Sequence, residues 1–96
     1  MNPTPNGITV RHNPGDSRFE ATVEGLLSVV DYTRAAGEIA LTHTYVPVEL
    51  RGRGIAEQLV RVALEFARTE KLKVVAACSY VDAFIARHVE FKPLLK

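Results

Sequence analysis

The sequence predicts an α+β fold: a mixed, mainly antiparallel twisted sheet of about five strands with two helices. Three observations carry this. The first half consists of short segments with apolar residues at period two, separated by turn formers. A segment of helical periodicity begins at Gly54, and a second β-rich apolar run, residues 72–78, follows it directly. A chain of 96 residues buries only about 60 to 65 % of its unfolded surface, so every element must share one core. Residues 1–96 are therefore expected to form a single domain.

Taken in order, residues 1–6 are polar and proline-rich and are expected to be loose. Ile8–Arg11 reads as a first strand, ended by Asn13-Pro14-Gly15-Asp16. In residues 18–23, Phe19, Ala21 and Val23 alternate with polar neighbours, the signature of a second strand with one wet face. Glu24-Gly25 is a tight turn. Leu26–Tyr32 is apolar on both faces and predicts a central third strand, with residues 33–37 as a loop. The fourth strand, Glu38–Val46, puts Ile39, Leu41, His43 and Tyr45 on one face and Ala40, Thr42, Thr44 and Val46 on the other. Pro47 stops its ladder.

From Gly54, Ile55, Leu59, Val62, Ala63 and Phe66 recur at helical intervals, with Glu57, Arg61, Glu65 and Arg68 on the solvated side. Leu72–Cys78 returns as a fifth strand. Strand, loop, helix and strand over residues 38–78 predict a right-handed β-α-β crossover with parallel strands. Ser79-Tyr80-Val81-Asp82 resembles a capping box before a short second helix whose apolar face carries Val81, Phe84, Ile85 and His88.

Composition narrows the function. Hydrophobic residues make up 47% and charged residues 24%, as in a soluble globular protein. Twelve basic against eleven acidic residues leave a net charge of +1, too weak a field to attract nucleic acid or an anionic membrane. The single Cys78 rules out an internal disulfide, and His12, His43 and His88 show no metal-ligand spacing, so no metal site is expected. The start lacks an apolar h-region, and no apolar run approaches the roughly 18 residues of a membrane span. A cytoplasmic protein without export signal, monomeric or weakly dimeric, is the expectation.

The informative segment lies between the fourth strand and the long helix: Val46-Pro47-Val48-Glu49-Leu50-Arg51-Gly52-Arg53-Gly54-Ile55-Ala56. Its glycines allow close backbone approach, and the free amides and dipole of a helix start favour an anion, with Arg51 and Arg53 as further donors. No Gly-Lys-Ser/Thr follows, so it is not a Walker loop, and the third glycine of a dinucleotide fingerprint is missing.

Arg51-x-x-Gly54-x-Ala56, in a strand-loop-helix-strand setting over residues 38–91, resembles the R/Q-x-x-G-x-G/A signature of the GNAT N-acetyltransferase superfamily. Leu41–Pro47, Arg51–Gly54 and Cys78-Ser79 further resemble its short, single-domain YjdJ-type branch. The resemblance implies a GNAT-like, acyl-CoA N-acyltransferase fold. It also implies acetyl-CoA between the fourth and fifth strands, which splay apart. The pyrophosphate would rest on amides of Arg51, Gly52, Arg53, Gly54, Ile55 and Ala56, the pantetheine along Tyr45 and Val46, and Ser79 would face the cofactor. The chain departs from larger relatives in lacking helices between its first strands and the usual final strands, which build the acceptor site. The superfamily's N-x-x-A-x-x-x-Y run aligns with Tyr80-x-x-Ala83-x-x-x-Arg87, so the tyrosine that protonates the leaving thiolate is replaced by Arg87.

Acetyl transfer to an amine needs that amine neutral, and a lysine-like amine has a pKa of about 10.4, so a proton acceptor is required. His43 has two readings: that acceptor, or a packing residue beside Leu41 and Tyr45. Branch members often carry a carboxylate two residues after this histidine, where Tyr45 stands here. Cys78 directly precedes a helix whose dipole lowers a thiol pKa, so it could accept the acetyl group or return a proton to coenzyme A; the alternative is a small buried residue closing the strand. His88 is read as a packing or helix-end residue and His12 as a surface loop feature. The expected function is direct acetyl transfer from acetyl-CoA to an amine acceptor. The alternative is a coenzyme A or acyl-CoA-binding module with little or no transfer.

Overall fold

The computed structural model describes residues 2–3 and 7–96. Strands β1 (Asn2–Pro3), β2 (Thr9–Asn13), β3 (Arg18–Val23), β4 (Leu26–Ala35), β5 (Glu38–Tyr45) and β6 (Lys73–Ala76) form one sheet in sequence order. Every neighbouring pair is antiparallel except β5 and β6, which run parallel across helix α1 (Ile55–Thr69). Helix α2 (Ser79–Arg87) follows β6. The expected mixed sheet and β-α-β unit are therefore present. The expected first to fifth strands are β2 to β6, and β1 adds a two-residue pairing, Asn2 opposite Val10 and Pro3 opposite Thr9. The expectation for residues 1 and 4–6 lies outside the described residues.

All the buried apolar strand residues sit on one face of the sheet. Val10, Phe19, Ala21, Val30, Tyr32, Ile39, Leu41 and Val74 join Ile55, Leu59, Val60, Ala63, Leu64 and Ala67 of α1 and Val81, Phe84 and Ile85 of α2 in one core. Each large side chain removed from water there contributes about 1.5–3 kcal/mol. The opposite face, which carries Arg18, Leu27, Val29, Asp31, Thr33, His43 and Tyr45, has no helix over it among the described residues. There the sequence reading needs correction: β4 is central in the sheet but buried on one face only, because both helices pack on the same side. The buried stripe of α1 is also shifted, with Val60, Leu64 and Ala67 fully buried and Val62 and Phe66 only partly so.

Several boundaries move. β4 continues to Ala35, so the expected loop of residues 33–37 shrinks to the turn at Ala36-Gly37. His12 is not a loop residue. It lies on β2, half-buried, stacked on Phe19 at 4.3 Å and 2.7 Å from the Tyr32 hydroxyl through Nε2. Burial in this aromatic cluster, and then the charge of Arg34, lower its pKa. β6 ends at Ala76. Beyond it, Ser79 is the first helical residue of α2 and Cys78 the cap, without a side-chain capping bond, so the expected capping box does not form. The outer edge of β6 is met by the C-terminal residues: Val74 bridges Leu95, and the Lys96 N–H donates to the Val74 carbonyl at 3.0 Å.

Candidate functional site

The site begins with a change of pairing along β5. From Glu38 to Leu41, β5 is laddered on both sides, to β4 and to β6. The last bond to the β6 side is the Ala77 N–H to the Leu41 carbonyl, 3.1 Å. β5 runs on through Thr42, His43, Thr44 and Tyr45, whereas the other chain turns away into α2. A notch opens between them, bordered by Thr44 and Cys78.

A β-bulge sits at the mouth of this notch. Tyr32 is opposite Leu41 and Asp31 is opposite His43, so Thr42 has no partner residue; its hydroxyl donates to the Asp31 carbonyl at 3.3 Å. The extra residue reverses the alternation of faces. Thr44 therefore shares the helix-covered face with Leu41, and His43 and Tyr45 move to the open face. This overturns the expected facing of β5 and removes the reading in which His43 packs beside Leu41. The His43 side chain is 61% exposed.

His43 instead has a partner that the sequence did not disclose. Its Nδ1 lies 3.2 Å from Oδ2 of Asp31. An ionised carboxylate only accepts hydrogen bonds, so Nδ1 carries the proton, and in the neutral ring Nε2 keeps a free lone pair. The neighbouring strand thus places a carboxylate beside His43. Asp31 was visible only as a polar residue in an apolar run; the register that brings it to His43 depends on the bulge.

Cys78 is half-buried, off the end of β6, with Sγ 3.7 Å from the Thr44 hydroxyl. Burial alone would raise its pKa, but the Thr44 hydroxyl and the backbone N–H groups of Val81, Tyr80 and Thr44 outweigh burial and hold the thiol below its ordinary value. These amides are free for the same reason that the notch exists: Thr44 has lost its strand partner on that side, and Tyr80 and Val81 open a helix. Thr44 was not singled out from sequence because only the end of the ladder identifies it.

After Tyr45, half-buried Val46 and buried Pro47 lead into a 3-10 turn, Val48–Leu50. The loop is fixed at both ends by fully buried Leu50 and Ile55, which leaves Arg51, Gly52 and Arg53 exposed between them. Gly52 and Gly54 both have left-handed backbones, φ 82° and 78°, where a side chain would be strained. Gly54 caps α1 with no side-chain acceptor, and the first helical bond is Gln58 N–H to the Gly54 carbonyl, 3.1 Å. The amides of Ile55, Ala56 and Glu57 are thus left without helical partners at the positive end of the dipole. Arg51 donates from Nε to the Val46 carbonyl at 2.9 Å, bracing the loop, and Arg53 pairs with Glu24 of the β3–β4 turn at 2.6 Å. Such a cradle suits a phosphate group.

The remaining residues flank α2. Ser79 is exposed at its first position. Tyr80 is half-buried; burial and then the charge of Glu57 raise its pKa, and the charge of Arg87 opposes them. His88 donates from Nδ1 to the Phe84 carbonyl at 2.9 Å and stacks on Phe84, the packing and helix-end role that its position predicted.

The structure thus joins a parallel β-α-β unit, an uncapped helix start and an open strand edge beside it. The comparisons with known proteins give it a family. The GCN5-related N-acetyl-transferase family matches residues 18–94. Protein NATD1 of Mus musculus is 35% identical over 81 residues, spanning 81% of this chain and 74% of that protein. Protein NATD1 of Xenopus tropicalis is 32% identical over 88 residues, spanning 88% and 80%. The solution structure of a GCN5-like protein from Staphylococcus aureus superposes with a TM-score of 0.74 at 23% identity, covering 97% of this chain and 91% of that one. The chain belongs to the GCN5-related N-acetyltransferase family and has its fold.

Proposed function

We propose that this protein is an acetyl-CoA-dependent N-acetyltransferase of the cytoplasm. The observation that carries the reading is the joining of two features by one loop: an uncapped helix start with two left-handed glycines, and a strand edge that has lost its partner. The cradle fits a pyrophosphate. Amides from Gly52 to Ala56 and the guanidinium groups of Arg51 and Arg53 would hold it, with the pantetheine along the backbone edge of Tyr45 and Val46. Bound acetyl-CoA supplies an activated thioester.

The chain's own groups do the rest. The free edge of β5 presents unladdered amides where negative charge develops on an acyl oxygen, the arrangement that stabilises an oxyanion. Nε2 of His43 takes the proton of the attacking amine, and Asp31 holds the ring in the tautomer that leaves Nε2 basic. Cys78 returns a proton to the departing thiolate; a thiol of lowered pKa is a stronger acid than an unperturbed alkyl thiol, so that transfer runs downhill. Arg87 at the position of the family's tyrosine favours a second reading, a coenzyme A-binding module without efficient transfer. Cofactor binding without turnover would support that reading.

The first test is calorimetric titration of acetyl-CoA into the wild type and Gly54→Val, whose φ of 78° only glycine adopts freely. Binding by the wild type that is lost in a folded variant supports the cofactor site. No binding by the folded wild type overturns it.

A further inference from the structure

Both helices occupy one side of the sheet, so an acceptor reaching the notch must approach over the other side. That face carries a pattern that the transferase reading does not use. Of four large apolar residues exposed on the described surface, Leu27 (39%) and Tyr45 (46%) belong to it, and Val48 (69%) follows Tyr45 within three residues. Val29 is directly opposite Tyr45 in the ladder, and Leu27 precedes Val29 by two positions on the same face. An apolar strip therefore runs away from the His43–Asp31 row. With a rise of about 3.3 Å per residue, Val29 lies about 7 Å and Leu27 about 13 Å along β4 from Asp31.

The charges on this face are matched. Glu20 is clamped by Arg11 at 3.1 Å and Arg18 at 2.6 Å, Asp16 faces Arg18 at 3.8 Å, and Glu24 of the adjoining turn pairs with Arg53 at 2.6 Å. Asp31, 39% exposed, has His43 as its only ion-pair partner among the described residues, and histidine carries no permanent charge. Arg18 stands directly opposite Asp31 in the β3–β4 ladder, so the face offers a carboxylate flanked by His43 and Arg18 beside an apolar track.

We propose that the acceptor is a primary monoamine on an extended apolar body, its nitrogen at the His43–Asp31 row and its chain lying over Val29, Tyr45 and Leu27. Polyamines and lysine-rich segments fit poorly, because a second cation would meet apolar side chains or arginine. This inference rests on the transferase reading above.

The test is acetyl transfer to a series of linear amines from propylamine to octylamine, with spermidine and a lysine-containing peptide alongside, for the wild type and Leu27→Asn. Each methylene covered is worth about 0.8 kcal/mol at most, so kcat/KM is expected to rise about two- to fourfold per carbon. Leu27→Asn should flatten the rise over the last carbons and leave the first ones, and acetyl-CoA binding by calorimetry, unchanged. Turnover on spermidine or the peptide, with no rise along the amine series, overturns the acceptor and leaves the transferase reading standing; acetyl-CoA binding with no turnover of any amine overturns the acceptor and favours the binding module. Loss of acetyl-CoA binding in the folded wild type overturns both. Sedimentation showing a dimer that Leu27→Asn dissociates would assign the strip to a second copy of the chain and overturn the acceptor.

Discussion

The two halves of β5 are a controlled comparison inside one strand. Glu38–Leu41 is paired on both edges and buries Ile39 and Leu41 completely; Thr42–Tyr45 is paired on one edge and leaves Thr42, His43 and Tyr45 exposed. One unopposed residue, Thr42, separates them. The first half is fixed by packing, so its side chains are replaceable by any others of the same volume. The second half has given up a ladder on one edge, so packing fixes its side chains far less.

Substitutions on the two sides of the bulge should therefore separate stability from activity. His43→Gln is expected to lower kcat by about 10²- to 10⁴-fold, the usual worth of a positioned proton acceptor, while shifting stability by less than about 0.5 kcal/mol. Leu41→Ala should do the reverse, costing about 3 kcal/mol in chemical denaturation and leaving kcat of the folded fraction near that of the wild type. Equal losses of activity in both would break the comparison. Asp31→Asn sharpens it: a hydrogen bond to a charged group is worth about 1.5–3 kcal/mol, so kcat should fall about tenfold or more, but less than in His43→Gln, with acetyl-CoA affinity retained.

Legibility in the sequence divides along the same line. The strand succession, α1, α2 and the glycine loop follow from periodicity and turn chemistry, which are local. The family resemblance also rests on local patterns, Arg51-x-x-Gly54-x-Ala56 above all. What was not legible depends on register. A bulge carries no distinctive residue type, so the faces of Thr42 to Tyr45 were assigned by unbroken alternation and came out reversed. Asp31 and Thr44 were missed because each acts across strands. The one-sided sheet was missed because a run such as Leu26-Leu27-Ser28-Val29-Val30 reads the same whether its second face is covered by helices or left open for a ligand.

Cys78 extends the comparison to the far wall of the notch. Its thiol is lowered by groups that exist only in the folded notch, so alkylation by iodoacetamide should show a pH midpoint below the ordinary cysteine value of about 8.5. Thr44→Val removes the hydroxyl contact at 3.7 Å and should move the midpoint upward, with stability little changed. A midpoint at the free-cysteine value in the wild type would remove Cys78 from the mechanism. Glu20 gives the matching control on the open face. Its pKa is lowered chiefly by the Arg18 hydrogen bond, against burial, so its contribution to stability is present above the ordinary carboxylate range and fades as pH falls through it. Glu20→Gln should lose stability at neutral pH and converge with the wild type in acid.

The smallest expected effect lies on the helix side of β4. Ser28 is fully buried opposite Ala21, and its hydroxyl has no hydrogen-bond partner among the described residues. An unpaired buried hydroxyl costs about 1–3 kcal/mol of desolvation, whereas the methyl of alanine has no such requirement and leaves a void of a single atom. Ser28→Ala should therefore be neutral or stabilising by about 1 kcal/mol in denaturant titrations, with kcat unchanged. The helix-covered face around Ser28 is then held by apolar packing. A clear loss of stability would instead mean that Ser28 is paired in solution, and that the covered half of the sheet, like the open half, depends on a specific polar contact.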